Sequence, residues 1–76
     1  MLSNLRENLS FKNWLAYQIN RDDFIGDLAK DTKRDPIWGS ATILNYTDAH
    51  TYFRNRGACR EAIEALECAF NEWRSS

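Results

Sequence analysis

One stretch near the carboxyl end of the chain constrains the fold most, because its apolar residues recur at the interval of an α-helix. Between residues 58 and 73 they are spaced by four, three, four and three positions: Cys59, Ile63, Leu66, Phe70 and Trp73. This spacing places the side chains on one face of a helix. The glutamates of the segment lie mostly off that face. We therefore expect a helix that packs one apolar face against the rest of the chain.

Two shorter helices are predicted in the first half of the sequence. Ser10 is a favoured N-cap residue, and the apolar residues after it predict a first helix over residues 11–19. A second helix is expected after the capping carboxylate of Asp23, extending to about Asp31. Gly26 weakens the helix propensity of this segment, so we expect its missing side chain to permit a close helix crossing.

The middle of the chain carries weaker signals. Residues 35–40 contain an Asp-Pro pair followed by Ile-Trp-Gly-Ser, which predicts a turn. A strand over residues 41–46 would have no partner, so we expect an irregular loop that places Ile43 in the core. A third helix is then capped by Thr47 or Asp48 and ends at a glycine.

Four short helices with no convincing strand predict an all-α fold: a compact bundle of about four short helices without a β-sheet. The chain has 76 residues, the size of one domain. We assign residues 10–74 to this domain and expect residues 1–9 to be a flexible or partly helical segment. No stretch approaches the roughly 20 apolar residues of a membrane span, and the N-terminus lacks a signal-peptide pattern. A cytoplasmic protein without a membrane partner is expected.

The two cysteines are predicted to be structural. Cys59 and Cys68 are nine residues apart, which places them on opposite sides of one helix, so they cannot form a disulfide there. They also lack the spacing of a zinc site or a redox CxxC pair. Because both lie among alanines, we expect small buried packing residues in a reducing compartment.

The sequence contains few residues that could carry catalysis or bind a metal. His50 is the only histidine, and its polar surroundings predict a solvated side chain. Aspartates recur every fourth residue, but basic residues are interspersed: Asp23, Asp27, Asp31 and Asp35. We expect Asp23 or Asp27 to stabilise a helix start and the others to be solvated, rather than a cation site. No enzymatic activity, cofactor, metal or small-molecule substrate is expected.

Six basic side chains are the candidate nucleic-acid contacts: Lys30, Lys33, Arg34, Arg54, Arg56 and Arg60. If folding brings them together beside Trp38 or Tyr52, phosphate contacts and an aromatic ring would suit sequence-independent DNA binding. The net charge is -1, so no overall positive charge attracts nucleic acid. Neighbouring carboxylates favour a solvated surface of mixed charge, and DNA binding is therefore the alternative function.

Trp38 is the most informative single residue for a binding function. A large aromatic side chain in a predicted turn either closes over the core or projects as an anchor for a partner. In so small a domain we expect partial burial. Trp38 and Ile37 are the candidate protein contacts. The leading hypothesis is a non-catalytic module for protein association, with an unidentified protein partner or weak self-association, through this turn or the ends of the third and fourth helices.

Three motifs occur together along the chain. They are FxxWL at residues 11–15, RDDxIGDLAxD at residues 21–31, and GAC at residues 57–59 followed by an alanine-rich helix. In this set the sequence resembles the YozE family of small bacterial proteins. It departs from the family pattern at Phe24, where a proline is usual, and at residues 36–40, where a Phe-Pro pair is usual. The resemblance implies a helical fold similar to the sterile alpha motif and a bacterial, cytoplasmic protein, and it supplies no active-site residue.

Overall fold

The computed structural model describes residues 9–75, and α-helices cover most of them. Their bounds are α1 Phe11–Ala16, α2 Phe24–Lys33, α3 Pro36–Ser40, α4 Tyr46–Asn55 and α5 Arg60–Ser75. No strand is present within residues 9–75, so the predicted all-α fold is confirmed. The predicted flexible segment lies outside the described residues except for Leu9. The carbonyl oxygen of Leu9 accepts a hydrogen bond from the indole nitrogen of Trp73 at 3.1 Å.

Side-chain caps define where α1 and α2 begin. The hydroxyl of Ser10 accepts the backbone N–H of Asn13 at 3.2 Å, and the carboxylate of Asp23 accepts that of Gly26 at 2.9 Å. Both caps satisfy N–H groups that have no partner inside the helix. The predicted caps are therefore confirmed. α1 ends at Ala16, three residues earlier than predicted, because the N–H of Tyr17 turns back to the carbonyl of Trp14 at 3.1 Å.

α4 begins earlier than the sequence indicated. Its N-cap is Asn45, whose side chain accepts the N–H of Asp48 at 2.9 Å. The carboxylate of Asp48 in turn accepts the N–H of Leu44 at 3.0 Å. The prediction that Thr47 or Asp48 caps this helix is therefore wrong. Asp48 instead acts from inside the first turn and bonds the residue before the N-cap, one position earlier than the acidic residue of a capping box does.

The predicted turn at residues 35–40 is a short helix, α3. Pro36 occupies its first position, where a missing N–H costs nothing and the fixed φ angle suits a helix. The carboxylate of Asp35 caps it by accepting the N–H of Ile37 at 3.0 Å. The loop that follows places Ile43 in the core with 8% of its surface exposed, as predicted.

The core is centred on α5, which packs against α1, α2 and α4. Its buried residues are Ala65, Leu66, Ala69 and Phe70. The rings of Phe11 and Phe70 stack with their centroids 3.8 Å apart, joining α1 to this face. The predicted apolar face of α5 is thus confirmed near its centre, whereas Ile63 and Trp73 at its margins are only partly buried.

The two cysteines are exposed, so the prediction of buried packing residues is wrong. Cys68 follows Leu66 by two positions, about 200° around the helix, and therefore lies opposite the core. Cys59 precedes the first residue of α5. The small buried residues of α5 are instead Ala65 and Ala69, which fit where α5 approaches its neighbours closely.

Two glycines have a clear structural role. A Cβ on Gly26 would lie 2.0 Å from the backbone oxygen of Arg21, so Gly26 accommodates the preceding turn rather than the predicted helix crossing. Gly57 has a φ angle of +76° and follows the end of α4, as predicted for a residue that terminates a helix.

Candidate functional site

Trp38 is more deeply buried than the partial burial expected from the sequence, because only 5% of its surface is exposed. Its ring contacts those of Tyr52 and Phe53 at centroid distances of 5.2 and 5.4 Å. Lys12 lies over it, with the amino nitrogen 5.5 Å from the ring centroid. Trp38 therefore offers no exposed anchor to a partner. The candidate contact surface at this helix is reduced to Ile37, which is 56% exposed.

Asp35 is the centre of a polar cluster that the sequence did not indicate. Besides capping α3, its carboxylate accepts a hydrogen bond from the hydroxyl of Tyr52 and pairs with the Nε of Arg56 at 3.1 Å. The hydrogen bond from Tyr52 is the main reason that the pKa of Asp35 is lowered. Burial and this same hydrogen bond raise the pKa of Tyr52. The cluster ties α3 to α4 and occupies Arg56 with a structural ion pair.

A second ion-pair cluster joins the turn before α2 to the end of α5. The guanidinium of Arg21 pairs with Asp23 at 2.7 Å and with Glu72. The hydrogen bonds that Arg21 donates raise its pKa, the bond to Glu72 most. The bond that Arg21 donates to Asp23 is the largest cause of the lowered pKa of Asp23. Asp23 and Asp35 are thus both engaged, and within residues 9–75 no group of three potential metal ligands occurs.

Neither of two depressions of about 480 and 460 Å³ is lined by all six basic residues. Arg34 and Arg56 line the same depression, together with the carboxylates of Asp31 and Asp35. Lys33 lines a separate depression with Lys12 and Trp38 on the other side of Pro36. Lys30 and Arg54 line neither of these two depressions. Arg60 forms an exposed pair with Glu64, at 3.5 Å.

A groove lies between α2 and the first half of α5, and residues of α4 also line its larger part. It consists of two adjoining depressions of about 480 and 180 Å³ that share four lining residues: Leu28, Asp31, Cys59 and Ala62. It runs from Phe24 at the start of α2 to Pro36 at the start of α3. We call it the acidic groove. Its length along α2, ten residues, is about 15 Å.

The acidic groove combines apolar surface with free charge. Leu28 and Ala65 form its buried floor, while Phe24 stands at one end with 51% of its surface exposed. Three carboxylates line it without any side-chain hydrogen bond or ion pair in residues 9–75: Asp27, Asp31 and Glu61. Periodicity predicted carboxylates along α2, but only the packing of α5 against α2 places Glu61 beside them.

His50 is half-buried rather than fully solvated, and its ring lies 5.5 Å from that of Tyr46, between centroids. No helix within residues 9–75 is long and apolar enough to cross a lipid bilayer. Comparison with protein-family models, curated proteins and solved structures finds no match to this chain. The resemblance to the YozE family and to the sterile alpha motif therefore stays a prediction.

Proposed function

We propose that this chain is a non-catalytic module for protein association that acts in a bacterial cytoplasm. The observation that supports this function best is the acidic groove, in which an exposed aromatic ring and a buried apolar floor lie beside carboxylates without partners. Exposed apolar surface in a concave site is typical of binding surfaces, and the exposed, unpaired carboxylates beside it can meet the cations of a partner. The resemblance to a helical family agrees with this proposal but carries no site residue.

DNA binding is less well supported by the same surface. Arg34 and Arg56 share a depression with two carboxylates, and Arg56 is paired with Asp35. A phosphate backbone approaching this depression would meet Asp31 as well as Arg34. Sequence-independent DNA binding needs several unopposed cations, because each phosphate contact contributes through release of counterions.

Site-specific photo-crosslinking in the native cells tests protein association. Benzoylphenylalanine placed at position 24 replaces one exposed aromatic ring by another, and the matched control is position 17, where Tyr17 is 74% exposed and lines none of the depressions described above. We expect discrete protein adducts from position 24 and none from position 17. A further probe at Ile37 reports on the surface at α3.

The outcomes of this experiment separate the two functions. Absence of protein adducts from both positions 24 and 37 would contradict protein association, as would equal adducts from all three positions, which indicate random collision. DNA binding is measured in parallel by fluorescence anisotropy with a short duplex. Affinity that falls steeply with added salt and is lost in Arg34→Glu would replace protein association by DNA binding as the function.

A further inference from the structure

We propose that the acidic groove receives a short amphipathic helix of a partner protein, one that carries arginine or lysine beside its apolar residues. This inference rests on the proposed function and names the chemistry of the partner. The juxtaposition that carries it is an exposed Phe24 and three carboxylates without partners around an apolar floor built by two packed helices.

The shape of the groove fits a helix. On the α2 side the exposed lining residues are Phe24, Asp27 and Asp31, at steps of three and four, the spacing of side chains that one helix offers to a neighbouring helix. On the α5 side the groove is lined by Ala62, a partly buried residue that is small enough to let a backbone approach closely. The length of about 15 Å corresponds to about ten residues of α-helix. A partner helix in this position would pack against α2 and α5 as a third member of the bundle.

The apolar part of the site is concentrated at the amino end of α2. Phe24 is half-exposed next to the floor formed by Leu28 and Ala65. A leucine or methionine of the partner can cover this ring from the groove side, which removes apolar surface of both chains from water. The face of the ring also suits a guanidinium or ammonium group, since cations are attracted to aromatic faces.

The charges specify a basic partner. The two depressions are lined by four carboxylates and two guanidinium groups, so the groove carries a formal charge of -2. Asp35 and Arg56 neutralise each other, which leaves Asp27, Asp31 and Glu61 against Arg34. The free carboxylates surround the end near Phe24, whereas Arg34 lies at the opposite end. A partner helix with basic residues near one end and an acidic residue near the other would therefore bind in one direction.

An NMR titration of the full-length, ¹⁵N-labelled protein with designed peptides tests the inference. The probe is a lactam-stapled amphipathic helix of about fifteen residues, with leucines on one face and flanking arginines. Its counterpart has glutamate at every arginine position. We expect the arginine peptide to shift amide signals of α2 and the first half of α5, and to bind about tenfold more tightly than the glutamate peptide at low salt.

Two double variants and two single variants show which residues bind the arginine peptide. Asp31→Asn/Glu61→Gln removes two groove carboxylates, and Asp22→Asn/Glu64→Gln removes the same charge outside the groove. We expect the first pair to weaken binding about fivefold to tenfold at low salt and the second to change it less than twofold, since exposed ion pairs act locally. Phe24→Ala should weaken binding about tenfold, while Leu44→Ala, at a residue that is 78% exposed elsewhere, should have no effect.

Other outcomes would overturn the inference without removing protein association. If both peptides bind equally, the charges do not select the partner. If shifts occur instead around Lys12 and Trp38, a different groove is the binding site. Shifts at α2 and α5 that depend on protein concentration without any peptide would identify a second copy of this chain as the occupant, which sedimentation equilibrium would confirm. Absence of binding at millimolar peptide overturns the inference, whereas protein adducts from the crosslinking probes would still support association.

Discussion

The region around Asp35 and Trp38 at α3, which we call the corner, has charged residues similar to those of the acidic groove. The two regions use these residues in different ways. At the corner, Asp35 is shared by a helix cap, a tyrosine hydroxyl and a guanidinium, and Trp38 is buried beneath Lys12. In the groove, Asp27, Asp31 and Glu61 have no side-chain partner within residues 9–75, and Phe24 is half-exposed. The same residue types thus hold the fold together in one region and remain available to a ligand in the other.

This difference shows why composition alone does not locate a binding surface. Carboxylates recur every fourth residue from position 23 to position 35, and nothing in that spacing separates the paired ones from the free ones. Pairing depends on which side chains other helices bring near. If the corner residues hold the fold together and the groove residues do not, substitutions at the corner should lower stability strongly. Substitutions in the groove should change binding and leave stability almost unaltered.

The largest change in stability is expected when Trp38 is replaced, and its neighbour Ile37 provides the comparison. Trp38→Ala would leave a cavity beside Phe53 and Tyr52, and we expect a loss of about 3–5 kcal/mol in the free energy of unfolding. Ile37→Ala, at an exposed position in the same helix, should cost less than about 1 kcal/mol. Urea denaturation followed by tryptophan-independent circular dichroism measures both. Equal losses would contradict the division between a buried and an exposed face of α3.

A smaller effect is expected at the turn that precedes α2. Gly26→Ala would place a methyl group against the backbone oxygen of Arg21, and we expect it to cost about 1–3 kcal/mol, as overpacking does. Gly39→Ala is the matched control, because no atom lies within 4 Å of its added Cβ. It should leave stability unchanged or raise it by about 0.5–1 kcal/mol through helix propensity. Chemical denaturation measures the free energy of unfolding of both variants. A Gly26→Ala variant as stable as the wild type would contradict the close approach of Gly26 to the backbone of Arg21.

Asp35 provides a test that depends on pH. Its pKa is lowered in the folded protein, so its ionised form contributes stability above the ordinary carboxyl pKa, and this contribution is lost as the pH falls through the lowered value. We expect Asp35→Asn to lower the unfolding temperature by about 8 °C at pH 7. The difference from wild type should shrink below about pH 4. Asp31→Asn, in the groove, should change the unfolding temperature by less than about 2 °C.

If the difference between wild type and Asp35→Asn did not depend on pH, the ionised carboxylate of Asp35 would not stabilise the fold at the corner. Asp23 also has a lowered pKa and contributes in the same acidic range, so the informative quantity is the difference between wild type and Asp35→Asn at each pH. That difference cancels the contribution of Asp23.

The smallest effect is expected for the cap of α2. Asp23→Ala removes the acceptor for the N–H of Gly26 and the partner of Arg21, and we expect the unfolding temperature to fall by about 4 °C. Asp27→Ala lies in the first turn of the same helix but caps nothing, so its effect should be under about 2 °C. Differential scanning calorimetry measures the unfolding temperatures of both variants. Equal decreases would show that negative charge near the helix start, rather than the Asp23 cap, stabilises α2.

Much of the fold could be predicted because its signals are local. The central apolar steps of α5, the Ser10 cap and the terminating Gly57 each depend on residues close in sequence, and all three are confirmed. Local signals failed where two local rules competed. Pro36 marks a turn and also the first position of a helix, and the cap formed by Asp35 decided in favour of the helix.

The candidate site could be predicted only in part. The even spacing of Asp27 and Asp31 indicated carboxylates on one side of α2, but the groove also needs Glu61, which is thirty positions away from Asp31. The cysteines show the same limit, because the exact rotation of α5 against the core decides which small residues are buried. Neither fact is encoded in any short window of sequence.

The amino-acid sequence by itself determined that this chain is helical, where α1 and α2 begin, and that α5 buries one apolar face. These properties follow from backbone hydrogen bonding, capping and periodicity, which act over a few residues. Only the tertiary structure decided that Trp38 is buried, that Asp35 joins Tyr52 and Arg56, and that three carboxylates remain free beside Phe24. The physical reason is that burial and ion pairing depend on distances between helices, and those distances arise from packing of the whole core.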